Sequence, residues 1–208
     1  MTKLRIGFSP CPNDTFIFDA LIHEKIDTEG LEFDACMADV EELNLMAFRG
    51  ELDITKLSYH AFLHILEEYV MMDSGSALGN NCGPLLIKNV GDKNPIESDL
   101  IAIPGKYTTA NFLLNYAFPK LQNKQEILFS DIESAIKNKQ VSAGLIIHEN
   151  RFTYADRGFE KVKDLGEDWE QSTGMPIPLG GIAIKRNFDK ALQEKVQRLI
   201  RKSIEFAF

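Results

Sequence analysis

An α/β fold with largely parallel sheets is what this sequence predicts, and three observations carry the prediction. Apolar, strand-like runs alternate with segments of helical spacing along most of the chain. Several of those runs end in small polar residues that lead straight into a helix start, as in βα units. The run VSAGLII at 141–147 is almost continuously apolar, as a strand covered on both faces requires. With 208 residues, 44% hydrophobic and 26% charged, the chain suits one large domain or two lobes of roughly 100 residues each.

The elements follow in order. Residues 4–9 (LRIGFS) read as a buried strand, and residues 14–24 as a helix with Phe18, Leu21 and Ile22 at i, i+3, i+4 spacing. Residues 31–37 form a second strand. Residues 39–48 form a helix capped by Asp39, with Glu42 at its third position and Gly50 beyond its end. A third strand, 52–57, runs into a helix over 58–68. The small-residue text GSALGNNCG precedes a strand at 84–88, and the polar run 89–99, with Gly91 and Pro95, is the expected lobe boundary.

Beyond that boundary come a strand at 100–103, the turn Pro104-Gly105-Lys106, and a helix over 108–118. A strand at 126–129, a helix at 131–139 and the apolar strand 141–147 follow. A last strand at 181–185 leads into a long amphipathic helix from Phe188. The expected organisation is 1–90 with 187–208 as one lobe and 91–186 as the other. The chain finishes on the apolar text IEFAF without a Gly, Asn or Pro stop, so it reads as cut short at residue 208.

The formal net charge is −8 and no Lys/Arg cluster lies along a predicted face, which argues against nucleic acid or an anionic membrane surface as partner. The start MTKLRIGFSP lacks a secretory h-region, and no apolar run approaches the ~18 residues of a membrane span. Cys11, Cys36 and Cys82 are scattered and odd in number, so neither a disulfide framework nor a zinc motif is expected. A reduced, cytoplasmic protein is the simplest reading; the oligomeric state stays open.

Three strand ends can present backbone N–H groups and hydroxyls to an anion such as a carboxylate: Ser9 to Thr15, Thr55-Lys56-Leu57-Ser58, and Gly105 to Thr109. Each could equally be a plain helix cap. Asn13 or Asp14 is the expected cap of the first helix and a secondary ligand contact. Lys56 could neutralise a carboxylate or reach solvent. His148, directly after the apolar strand, is the best-placed titratable group, with an ordinary pKa near ~6.5 suited to proton transfer. His60 and His64 have i, i+4 spacing, but HAFLH lacks the glutamate of HExxH. Pro104-Gly105-Lys106-Tyr107 does not make a P-loop. Cys11 as nucleophile would need a neighbouring base.

SPCPNDTFIF, TKLSYHAF, PGKYTTANFLL, AGLIIHENRFTY and GMPIPLGG, in this order from Ser9 to Gly181, together resemble the 1,4-dihydroxy-6-naphthoate synthases of the futalosine route to menaquinone. The resemblance implies a two-lobed fold like the type II periplasmic binding proteins, with a cleft between lobes. It implies a lyase that converts cyclic dehypoxanthinylfutalosine into 1,4-dihydroxy-6-naphthoate and releases a three-carbon sugar fragment, with no metal or organic cofactor. The family's histidine base matches His148, and its substrate contacts match Lys56, Leu57, Ser58, Thr108 and Thr109. A solute-binding protein of the same fold is the rival reading.

Overall fold

The computed structural model describes residues 2–80, 82–147 and 150–208. It divides into two compact units, Met1–Ala77 with Gly180–Phe208, and Leu78–Leu179. The sequence reading placed the crossings at 90/91 and 186/187; the units exchange chain at 77/78 and 179/180.

In the first unit, β1 (Thr2–Phe8), α1 (Pro12–Ile22), β2 (Leu31–Met37), α2 (Val40–Phe48), β3 (Ile54–Ser58), α3 (Tyr59–Phe62) and β4 (Tyr69–Met71) come from the first part of the chain. Within β5 (Ala77–Gly79) the chain passes into the second unit. It returns along β11 (Ile177–Lys185) to α8 (Lys190–Ala207). The sheet runs β2-β1-β3-β11-β4. β1 is parallel to β2 and β3, whereas β11 is antiparallel to β3 and β4.

Alternation along β1 puts Leu4, Ile6 and Phe8 on one face, against Phe18 and Leu21 of α1 and Val196, Leu199 and Ile200 of α8. The hydroxyl of Ser203 joins the two helices. It donates to Ile17 O at 2.6 Å and accepts from Leu21 N at 3.2 Å. On the other face α2 packs Leu43 and Met46 over Leu52. Gly7 is what lets it approach: a Cβ there would sit 2.5 Å from Leu52 Cδ1.

In the second unit, β6 (Leu85–Asn89), β7 (Ile101–Ile103), α4 (Thr109–Ala117), β8 (Lys124–Glu126), α5 (Ile132–Lys137), β9 (Ala143–Ile146), α6 (Asn150–Thr153), β10 (Phe159–Asp164) and α7 (Leu165–Thr173) build a sheet of order β10-β6-β9-β7-β8. Both faces are covered, as the apolar runs required. Leu86, Ile101, Ile103 and Leu145 pack under α4 and α7, and Leu85, Ile87, Ala102 and Ile146 pack against α5.

The structure corrects several expectations. α1 begins at Pro12 with Cys11 as its N-cap, so neither Asn13 nor Asp14 caps it. Pro12 has no N–H to lose at the first helical position. Cys11 is held extended at φ −67, ψ 152. The helix expected over 58–68 is only the four residues of α3. The strand expected at 126–129 lies at 124–126. Leu128 O then takes the N–H of Asp131 at 2.8 Å and tightens the chain into a 3-10 turn. β4, β5, β10 and α7 had no expected counterpart.

Candidate functional site

Asp14 is the third residue of α1 and only 2% exposed. A carboxylate in a helix's first turn is favoured by the macrodipole. Every strong contact it makes is a donor aimed at it: Lys56 Nζ at 2.6 Å on Oδ1, and Ser9 N at 3.0 Å and Ser9 Oγ at 2.7 Å on Oδ2. Lys56 reaches it from β3, from the face that carries Ile54 into the α1 core. Lys56 therefore neither runs to solvent nor waits unpaired for a ligand; it already balances an internal carboxylate. Cys11 Sγ lies 3.0 Å from Ser9 Oγ. Asn13 is exposed on the same first turn.

At the end of β3, Ser58 is the N-cap of α3, yet its side chain makes no capping bond. Its N–H donates to Asn44 Oδ1 at 3.0 Å, and its Oγ receives Asn44 Nδ2 at 3.5 Å. The same Nδ2 donates to Glu41 Oε2 at 2.9 Å. Leu57 is wholly buried and pairs in register with Gly181, so its side chain belongs to the core.

In the second unit Thr108 caps α4. Its Oγ1 accepts from Asn111 N at 3.2 Å and donates to Gly105 O at 2.8 Å. Thr109 Oγ1 donates to Leu179 O at 2.8 Å. Both threonine hydroxyl protons are thus engaged within the unit. What this turn can still offer an anion is the main-chain N–H of the first helical residues. Asn111 braces the turn by donating to Lys106 O at 2.8 Å while accepting from Lys124 Nζ at 3.0 Å. Burial holds the Lys124 ammonium below the ordinary lysine range.

His148 lies outside the described residues. The chain on either side of it is placed by β9, which ends at Ile146, and by Arg151. The Arg151 guanidinium donates to Gly83 O at 2.5 Å and to Asp164 Oδ2 at 3.0 Å. Among the described residues no group of three or more His, Cys, Asp or Glu could hold a metal ion, and no helix is long and apolar enough to cross a membrane.

A model of the menaquinone biosynthesis family matches residues 4–208. The 1,4-dihydroxy-6-naphtoate synthase of Thermus thermophilus is 42% identical over 207 residues, 100% of this chain and 75% of that protein. The chain belongs to this family. The enzyme of the same name from Streptomyces coelicolor is 37% identical, over 99% of this chain and 74% of its own length.

Among solved structures, a protein from Archaeoglobus fulgidus superposes with a TM-score of 0.88 at 37% identity, covering 99% of this chain and 76% of that one. The alkanesulfonate-binding protein of Xanthomonas axonopodis matches with a TM-score of 0.73 at 13% identity, covering 100% of this chain and 73% of that one. The family member described here therefore has the two-lobed fold of periplasmic solute-binding proteins, as expected. At that identity the likeness speaks for the fold alone.

Sequence reasoning missed Glu41 and Asn44 as neighbours of the polar turns. Glu41 and Asn44 carried a signal: two polar residues, i and i+3, on the side of α2 that also presents Leu43 and Ala47.

Proposed function

We propose that the protein is a 1,4-dihydroxy-6-naphthoate synthase acting in the cytoplasm. In this reading it is a lyase on the futalosine route that converts cyclic dehypoxanthinylfutalosine into 1,4-dihydroxy-6-naphthoate, with release of dihydroxyacetone. The observation that carries the reading is the match along the whole chain to two relatives of that name, at 42% and 37% identity. Three free cysteines accord with a reducing compartment.

His148 is the proposed base. It removes a proton to start a retro-aldol-type carbon–carbon cleavage that aromatisation of the product drives forward. Such a step needs a positioned proton acceptor with a pKa near working pH, which imidazole supplies. Lys56, Leu57, Ser58, Thr108 and Thr109 are the proposed substrate contacts, with Asn13 and Asp14 behind them. Leu57 would act through its main chain. Thr109 would act through its N–H at the start of α4, because its hydroxyl proton is engaged elsewhere, and Thr108, whose N–H and hydroxyl both donate to Gly105 O, would shape the turn that presents it. Ser58 would act through its hydroxyl.

The test is turnover. The full-length protein, incubated with cyclic dehypoxanthinylfutalosine, is expected to release the naphthoate, and His148→Ala is expected to lower kcat at least about a hundredfold. Undiminished turnover by His148→Ala removes the base. Absence of turnover by the wild type, with tight binding of a small solute instead, replaces the enzyme reading by the binding-protein one.

A further inference from the structure

We infer that Glu41 and Asn44 are positioning residues that set the direction of the Ser58 hydroxyl proton, so that Ser58 acts as a hydrogen-bond donor to the substrate carboxylate. The inference rests on the reading proposed above and assigns that site two residues from α2.

The argument is one of donors and acceptors. A carboxylate such as Glu41 only accepts, and a main-chain N–H such as that of Ser58 only donates. An asparagine between them can satisfy both in a single orientation, with Oδ1 toward Ser58 N and Nδ2 toward Glu41. That is the arrangement found, at 3.0 Å and 2.9 Å. The flip is therefore imposed by the neighbours and does not depend on which amide atom is labelled oxygen.

With the amide so held, its second N–H points at Ser58 Oγ, at 3.5 Å. Toward the protein the hydroxyl oxygen is thus an acceptor, and among the described residues its proton goes to no protein acceptor. The contrast with Thr108 and Thr109 is direct, since both of their protons go to main-chain carbonyls at 2.8 Å.

All three groups are out of solvent: Glu41 is 7%, Asn44 0% and Ser58 3% exposed. A buried amide without water to exchange with keeps its orientation. The Glu41 charge is supported by its place in the first turn of α2, where the macrodipole favours an anion.

Asn44→Asp tests this because it is isosteric but inverts the polarity facing Ser58. The introduced carboxylate accepts the Ser58 proton and withdraws it from substrate. It also sets two carboxylates side by side, which destabilises the fold. The double variant Glu41→Gln/Asn44→Asp removes that repulsion while leaving the Ser58 proton captured. The experiment measures kcat and KM of full-length wild type and both variants with cyclic dehypoxanthinylfutalosine, alongside urea unfolding.

A contact made equally in the ground and transition states appears in KM and leaves kcat alone. The expected result is KM raised about tenfold or more in both variants, consistent with loss of one hydrogen bond to a charged group, with kcat within about twofold and stability recovered only in the double variant. KM returning to the wild-type value together with stability in the double variant overturns the inference, because the pair would then be structural only. So does an unchanged KM in folded Asn44→Asp. A wild type that does not turn over fails the proposed function itself, a result that no variant is needed to see.

Discussion

Breaking the Asp14–Lys56 pair tests the best-defined polar contact of the first unit. The ammonium and carboxylate are 2.6 Å apart, with side chains only 11% and 3% exposed. At an effective dielectric of about 20, unit charges at that separation attract by about 6 kcal/mol. Desolvation offsets much of this, and removing one partner of a buried pair costs about 3–5 kcal/mol. In Lys56→Met, Asp14 keeps Ser9 N and Ser9 Oγ as donors. The expected cost is therefore at the low end, about 3 kcal/mol. Asp14→Asn leaves a buried ammonium without its counter-charge and is expected to cost about 4 kcal/mol.

The double variant Asp14→Asn/Lys56→Met should cost about 2 kcal/mol less than the sum of the singles, because the second change removes an orphan left by the first. Urea unfolding followed by circular dichroism reads the midpoints. A loss of about 3 kcal/mol with a slope near 2–3 kcal/mol per molar moves the midpoint by about 1–1.5 M. Hydrogen exchange should assign the loss to β1, α1 and β3. Single variants within about 0.5 kcal/mol of wild type, or strict additivity in the double variant, would refute the reasoning.

Two further outcomes concern packing and pH. Gly144→Ala places a Cβ 2.6 Å from Ile132 Cγ2 and 3.1 Å from Ile136 Cδ1. It should lower stability by about 1–3 kcal/mol, read as a fall in Tm; an unchanged Tm would mean that α5 rides away freely. Burial, with the charges of Asp53 and Glu68 adding to it, raises the Tyr69 phenol to about 12, and its hydroxyl donates to Leu52 O at 2.5 Å. A raised folded-state pKa means that the stabilisation is fully present below the unfolded value near ~10 and is lost as pH rises to about 12. The loss is about 3 kcal/mol. Unfolding midpoints between those pH values should show it, and Tyr69→Phe should flatten that part of the profile.

Much of the fold was legible because its strands are locally self-evident. β9 is a short apolar run, β1 and β2 alternate apolar with polar residues, and Asp39 announces α2 by capping it, accepting from Glu41 N at 3.3 Å. The failure over 63–68 has a long-range cause. The Arg186 guanidinium donates to Leu66 O at 2.8 Å and to Tyr69 O at 3.0 Å, and the Arg186 main-chain N–H donates to Glu68 O at 2.7 Å. Arg186, some 120 positions distant, thereby fixes the chain at 66–69 outside a helix, which no local pattern reveals.

The polar turns were legible as residue types at strand ends. Which hydroxyl protons are already spent was not, because Gly105 O and Leu179 O accept them only after folding. Asp14 illustrates the same limit. Its sequence position suggested a cap, whereas its role is set by Lys56, 42 residues on.

The two units differ in how they are threaded, and this orders their synthesis. Leu78–Leu179 is one uninterrupted stretch, so its sheet can close as soon as that stretch has left the ribosome. The first unit has to wait. β3 stays an open edge until β11 arrives, and Phe18 and Leu21 stay uncovered until α8 does. The earliest-made part of the chain is therefore the last to become a finished domain. During that interval the nascent protein's exposure to chaperones and to edge-to-edge association falls on β1, α1 and β3, the elements that carry Asp14, Lys56 and Ser58.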